Sequence, residues 1–133
     1  MSDNYTFCTP ILSNELSEYR DLFIKYGNKS SYISNTIIFE TGDLVNSIYY
    51  IDKGRVKLST TNYEGKEKIL FFLGEGTIFG AELSLSSEIS MTAATTESAS
   101  VLYVTSPTII NSSAEFKDSV IKYMSKTIIT LMR

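Results

Sequence analysis

The apolar positions follow a helical period at both ends of the chain and a period of two between them. In "LSNELSEYRDLFIKYG", Leu16, Tyr19, Phe23 and Tyr26 recur at three- and four-residue steps. Ser13 suits the start of that helix and Gly27 its end. From Ser30 to Thr105 short β-rich runs take over: "NTIIFETGD", "NSIYYIDKG", "RVKLSTT", "EKILFFLGEG", "GTIFG", "MTAATTES" and "SVLYVTS". Val56, Leu58 and Thr60 alternate with Arg55, Lys57 and Ser59, and Ile69, Phe71 and Leu73 with Lys68, Leu70 and Phe72. That alternation marks half-buried strands. Turn residues separate the runs at Gly42-Asp43, Lys53-Gly54, Glu64-Gly65 and Gly74-Glu75-Gly76, where positive φ is tolerated. Many short strands at this spacing predict a β-sandwich, jelly roll or barrel.

Helix returns after Thr105. Ser106-Pro107 predicts a capped single turn over "PTIIN", and Ser112 or Ser113 caps "AEFKDSVIKYMSKTIITLMR", with Glu115 in its first turn. This helix carries two apolar stripes. Phe116, Val120, Tyr123, Thr127 and Leu131 form one; Ile121, Met124, Ile128 and Met132 form the other. Two stripes allow a helix to lie on its own barrel and to pair with a second helix. The near-heptad spacing of the first makes it the expected dimer interface. The final turn has no glycine or proline stop, so the helix reads as cut rather than finished, and a longer protein is expected.

Length adds one constraint: 133 residues make one domain with one core. The expected architecture is mainly β: a double-stranded β-helix or jelly-roll β-roll over about 30–105, a short N-terminal helix, and a dimerisation helix starting at about 114. Twelve basic residues against fifteen acidic ones give a net charge of -3. With no basic stripe, the chain is not expected to hold nucleic acid by itself. It contains no histidine and a single cysteine, Cys8. His-ligated metals, Ser-His and Cys-His catalytic pairs, iron–sulfur clusters and an internal disulfide are thereby excluded. No cofactor is expected, and no serine has a general base beside it, so "SLSSEIS" reads as a flexible loop rather than a nucleophile site. No apolar run reaches the length needed to cross a bilayer, and no signal peptide opens the chain; a cytoplasmic protein without membrane contact is expected.

Several segments in order carry a resemblance. In "IIFETGDLVNSIYYIDKGRVKLS" an apolar pair, two residues, Gly42 and Asp43 precede Ile48-Tyr49-Tyr50-Ile51 and then Gly54. "YEGKEK" and "LFFLGEGTIFG" follow. From about Tyr32 to Val104 the chain resembles the cyclic-nucleotide-binding β-roll of the CRP/FNR family of bacterial transcription regulators. In that family a phosphate-binding cassette opens with Gly-Glu-Leu, whose helix presents N–H groups to the phosphate while the Glu takes the ribose hydroxyl. Some residues later an Arg, followed by Ser or Thr and Ala, neutralises the phosphate.

Here Gly80, Glu82 and Leu83 resemble the opening, with Ala81 as an apparent one-residue insertion, and Thr92-Ala93 resembles the close. Met91 stands where the Arg belongs, and no arginine occurs between Arg55 and Arg133. Lys66 and Lys68 lie in the hairpin. The resemblance thus implies the roll, while Met91 argues against cyclic AMP or cyclic GMP. A neutral or weakly acidic, aromatic effector is expected, held by Gly80, Ala81, Glu82, Leu83, Met91, Thr92, Ala93 and Phe71. Thr95 and one of Tyr49 and Tyr50 would add polar contacts, since neighbours on a strand face opposite ways. The expected function is effector sensing in a homodimeric transcription regulator that touches DNA only through a C-terminal helix-turn-helix domain not contained in this chain. Two other readings stand beside it. One is a stand-alone or vestigial dimerising module that regulates a partner protein, with Met91 merely filling core space. The other is an enzyme of the wider double-stranded β-helix group, for which no catalytic constellation is visible.

Overall fold

The computed structural model describes residues 13–131. Its elements are α1 (Ser13–Tyr26), β1 (Asn28–Tyr32), β2 (Ile37–Phe39), β3 (Ile48–Lys53), β4 (Val56–Thr61), β5 (Glu67–Leu73), β6 (Ile78–Phe79), α2 (Ala81–Ser86), β7 (Ala93–Thr96), β8 (Ser100–Thr105), α3 (Pro107–Asn111) and α4 (Ala114–Leu131). Two four-stranded antiparallel sheets, ordered β1-β8-β3-β6 and β2-β7-β4-β5, form the roll. This is the expected jelly roll. Cys8, Met132 and Arg133 lie outside the described residues, as do the side chains of Ser13, Leu16, Glu82, Thr127, Ile128 and Leu131.

Strand β3 explains the layering. Ile48 and Tyr50 join a cluster with Tyr19, Phe23, Ile110, Phe116, Val120 and Tyr123. Tyr49 and Ile51 join another with Phe39, Val56, Leu73, Phe79, Ala94 and Leu102. One face of the first sheet therefore packs on helices and the other on the second sheet. A strand buried on both faces reads as a continuous apolar run, which is why Ile48–Ile51 shows no alternation. Only Tyr49 of the tyrosine pair enters the roll.

Strand β4 keeps the expected alternation only in part. Ser59 is buried and Thr60 half-exposed, and opposite Leu58 and Ser59 strand β5 bulges: Leu70 is its extra, unpaired residue, which shifts the β5 side chains beyond it by one face. Polar β1 pairs with β8 from Asn28↔Val104 to Tyr32↔Ser100, although "NKSSY" has no apolar alternation to announce it. Arg20 Nε lies 2.6 Å from Asp52 Oδ1 and ties α1 to β3, and this contact with Asp52 raises the guanidinium pKa further.

The caps fall where the sequence placed them. Ser106 Oγ accepts from Ile109 N at 3.3 Å, and Ser113 Oγ accepts from Phe116 N at 3.3 Å; Ser113, not Ser112, caps α4. The dimer stripe needs correction. Phe116 and Val120 are fully buried in the chain's own core and Tyr123 nearly so. Phe116 meets Phe23 edge-on at 4.9 Å and stacks on Tyr26 at 5.3 Å. These three residues are unavailable to a partner helix, because α1 and the first sheet already occupy that face. The second stripe holds the outward residue, Ile121, 45% exposed, with Met124 half-buried at its margin.

Candidate functional site

The predicted cassette is one continuous excursion from β6 to β7. Strand β6 pairs with β3 at Tyr49↔Phe79 and Tyr50↔Ile78. Gly80 then takes a left-handed φ of 86°. A Cβ there would stand 2.8 Å from the Ser47 carbonyl oxygen and 3.2 Å from Tyr49 Cδ1. Glycine is required by the turn and by this close approach, which accounts for Gly80 without a ligand.

Helix α2 begins at Ala81, directly after Gly80. No additional residue is looped out, so Ala81 is itself the first helical residue and Glu82 the second. Ala81 is buried against the helical layer, whereas Leu83 packs on the roll interior. The expected loop "SLSSEIS" is largely structured. Ser84 is buried and its Oγ donates to the Ser47 carbonyl at 2.7 Å and the Val45 carbonyl at 3.0 Å. A second left-handed residue, Ser87 (φ 59°), ends α2.

The return path is fixed by backbone. Leu44 and Ile89 form an isolated bridge. Ser90 N donates to Asp43 O at 2.9 Å, and Gly42 N to Ser90 O at 2.8 Å. Ser90 is fully buried; its Oγ accepts from Thr92 N at 3.1 Å and donates to Thr92 O at 2.7 Å. With Ser90 inside, its neighbour Met91 is turned out, 77% exposed. Met91 is therefore no core filler. Thr92 and Ala93 are half-buried and lead into β7.

Inside the roll the residues form a row. Leu58 stands opposite Phe71 on one side and Ala94 on the other, and Ala94 opposite Phe39. Leu58, Phe71 and Leu83 are half-buried around the fully apolar cluster. Deeper in, Tyr49 stacks on Phe79 at 4.8 Å and 15°, with Phe39 6.3 Å from each. Burial raises the Tyr49 pKa, against a hydrogen bond with Ser47 that lowers it. Of the predicted site, Phe71 and Leu83 meet in this cluster, Ala81 belongs to the other one, and Met91 faces solvent. Thr95, opposite Lys57 and next to fully buried Ala94, faces away from the interior. Leu58, Phe39 and Phe79 escaped the sequence reading. The alternation of β4 pointed to Leu58; nothing in the sequence set Phe39 against Phe79.

Two cationic groups of β4 and its entry are engaged with carboxylates. Lys57 Nζ lies 3.3 Å from Glu67 Oε2. Arg55 borders an open cleft with Gly54, Glu75, Glu97 and Ser98, bonds Glu97 at 2.5 Å and covers the Phe72 ring at 5.2 Å. Among the described residues no group of three or more Cys, Asp or Glu side chains is placed to hold a metal ion, and no helix is long and apolar enough to cross a membrane.

A two-sheet antiparallel roll with a glycine-led helix between β6 and β7 and a long helix behind it defines a jelly-roll β-roll. Residues 29–112 match the family described as the cyclic nucleotide-binding domain, and the chain belongs to that family, in its CRP/FNR-like branch. It is 35% identical over 80 residues to the cyclic AMP receptor protein of Thermus thermophilus, covering 60% of this chain and 37% of that protein. It is also 35% identical over 60 residues to the cAMP-activated global transcriptional regulator CRP of Haemophilus influenzae, covering 45% of this chain and 27% of that one. The chain thus aligns with 37% of the first relative and 27% of the second. Among solved structures, the catabolite activator protein of Thermus thermophilus superposes with a TM-score of 0.69 at 23% identity, over 92% of this chain and 57% of that one. Oxidised CprK in complex with o-chlorophenolacetic acid superposes with a TM-score of 0.68 at 16% identity, over 85% and 47%.

Proposed function

We propose that this chain is the effector-sensing domain of a CRP/FNR-like transcription regulator whose effector is an aromatic, neutral or weakly acidic molecule and not a cyclic nucleotide. One observation carries the reading: Met91 stands where the cassette arginine belongs, 77% exposed, and no arginine occurs between Arg55 and Arg133. Burying a phosphate without a cation costs several kcal/mol, and a bidentate arginine contact worth about 1.5–3 kcal/mol is absent. The apolar row of Leu58, Phe71 and Leu83 suits a ring instead. CprK, of the same fold, is known in complex with o-chlorophenolacetic acid, so such a roll accommodates an aromatic acid. The homodimer is assigned to the outward stripe of α4 around Ile121, and specific DNA contact to a domain outside these 133 residues.

A second reading, a dimerising module without ligand, draws on the filled roll interior, where Tyr49, Phe79 and Phe39 already occupy one another's faces. Thermal unfolding against cyclic AMP, cyclic GMP and a panel of phenolic and neutral aromatic compounds separates the two. A ligand at about 100 times its dissociation constant adds roughly 2.7 kcal/mol. The expected result is a raised midpoint with aromatic compounds alone. Stabilisation by a cyclic nucleotide overturns the effector assignment, and no response to any compound favours the ligand-free module.

A further inference from the structure

We infer that Tyr123 is a positioning residue for the cassette, making α1, the first half of α4 and the entrance to the cassette one mechanical unit. The inference rests on the effector-sensing reading for its purpose but not for its geometry. Strand β6 is the edge of its sheet. The Thr77 carbonyl accepts from Ile51 N at 3.0 Å, so the next N–H, that of Ile78, points away from β3 towards the free edge. Ile78 is buried, where water cannot take up that donor. The Tyr123 hydroxyl takes it instead, at 3.1 Å. This is a contact between a helix side chain and backbone 45 residues away, two residues before Gly80.

The helix side of the contact is held as firmly. The Tyr123 ring meets Tyr19 of α1 edge-on at 5.5 Å, and Phe116 and Val120 anchor the same face. Any shift of Ile78–Gly80 therefore pulls on α4 at Tyr123, and a pivot of α4 at its start would break this hydrogen bond. The helix is free to change direction only beyond Tyr123.

Amide hydrogen exchange of the effector-free chain tests this in Y123F, which keeps the ring and removes the acceptor. Exchange at Ile78 should quicken on the order of tenfold, the loss of one buried hydrogen bond. Phe79, Gly80, Ala81 and the α4 turn around Tyr123 should follow, while Leu102 in β8 keeps its protection. Y26F, which removes another hydroxyl from the same aromatic layer, should leave Ile78 as in the native chain. Unchanged exchange at Ile78 in Y123F overturns the inference, and so does one uniform acceleration over all amides, the mark of a merely global loss of stability. Neither result depends on an effector. Failure of the sensing reading appears separately, in the ligand titrations.

Discussion

Gly80 and Met91 illustrate how little a residue's type reveals about its task. Gly80 looks like a ligand contact and is a steric necessity, since φ is 86° and Ser47 O lies 2.8 Å from any Cβ. Gly80→Ala should cost at least about 2 kcal/mol in urea unfolding, from left-handed strain of roughly 1–2 kcal/mol plus the collision. Gly42→Ala should cost only the strain, because nothing lies within 4 Å of its Cβ position. Met91 looks like either a core residue or a pocket floor. Its exposure predicts that Met91→Ala changes stability by no more than about 0.5 kcal/mol, against roughly 2–5 kcal/mol for a buried methionine. At the same scale, Met91→Arg should return a cation to a segment that has none between Arg55 and Arg133. A midpoint raised by cyclic AMP in that variant and not in the native chain is the expected outcome.

Among the elements, α4 divides its labour by face. The near-heptad spacing of Phe116, Val120 and Tyr123 resembles a coiled-coil seam, yet the same spacing serves a helix packed on its own domain. Phe116→Ala should cost about 3–5 kcal/mol, because Phe23 and Tyr26 enclose the ring. Ile121→Glu should leave monomer stability nearly unchanged and weaken self-association, measured by sedimentation equilibrium. Dissociation by Phe116→Ala without loss of fold would contradict the burial. Periodicity identified both stripes and put the first forward as the interface, but the burial of Phe116, Val120 and Tyr123 removes them from it, since the choice depends on which face α1 and β3 cover. The strands divide likewise. Alternation located β4 and β5, whereas the bulge at Leu58/Ser59 and the polar edge strand β1 depend on pairing partners far along the chain.

For the whole molecule, β3 between helices and second sheet creates a sensitivity to alkali. Burial, assisted by the nearby Asp52 charge and opposed by Arg20, pushes the Tyr50 hydroxyl up to about 12. Its unfolded value is near 10. A raised pKa means that the folded state prefers the protonated form. The associated stability is therefore complete below about pH 10 and is lost as pH rises from about 10 to 12. The loss should be on the order of 2 kcal/mol. Tyr50→Phe, which keeps the ring stacked on Phe23 at 5.5 Å, should show a shallower fall in unfolding midpoint over that window. Equal slopes would contradict the burial of Tyr50 as the cause.

The sequence by itself determined the β-roll between two helical ends, the turn at each glycine, the caps of α3 and α4, and the absence of any arginine between Arg55 and Arg133. Such features are local: period, turn chemistry and residue identity act within a few positions. Only the tertiary structure decided that Ala81 directly follows the glycine turn as the first helical residue, that Ser84 and Ser90 are buried fasteners, that Met91 faces water, and that Tyr123 closes the edge of β6. Each of these depends on groups tens of residues away being brought within a few ångströms. Burial and the satisfaction of buried donors are properties of the packed molecule, which no stretch of the chain carries alone.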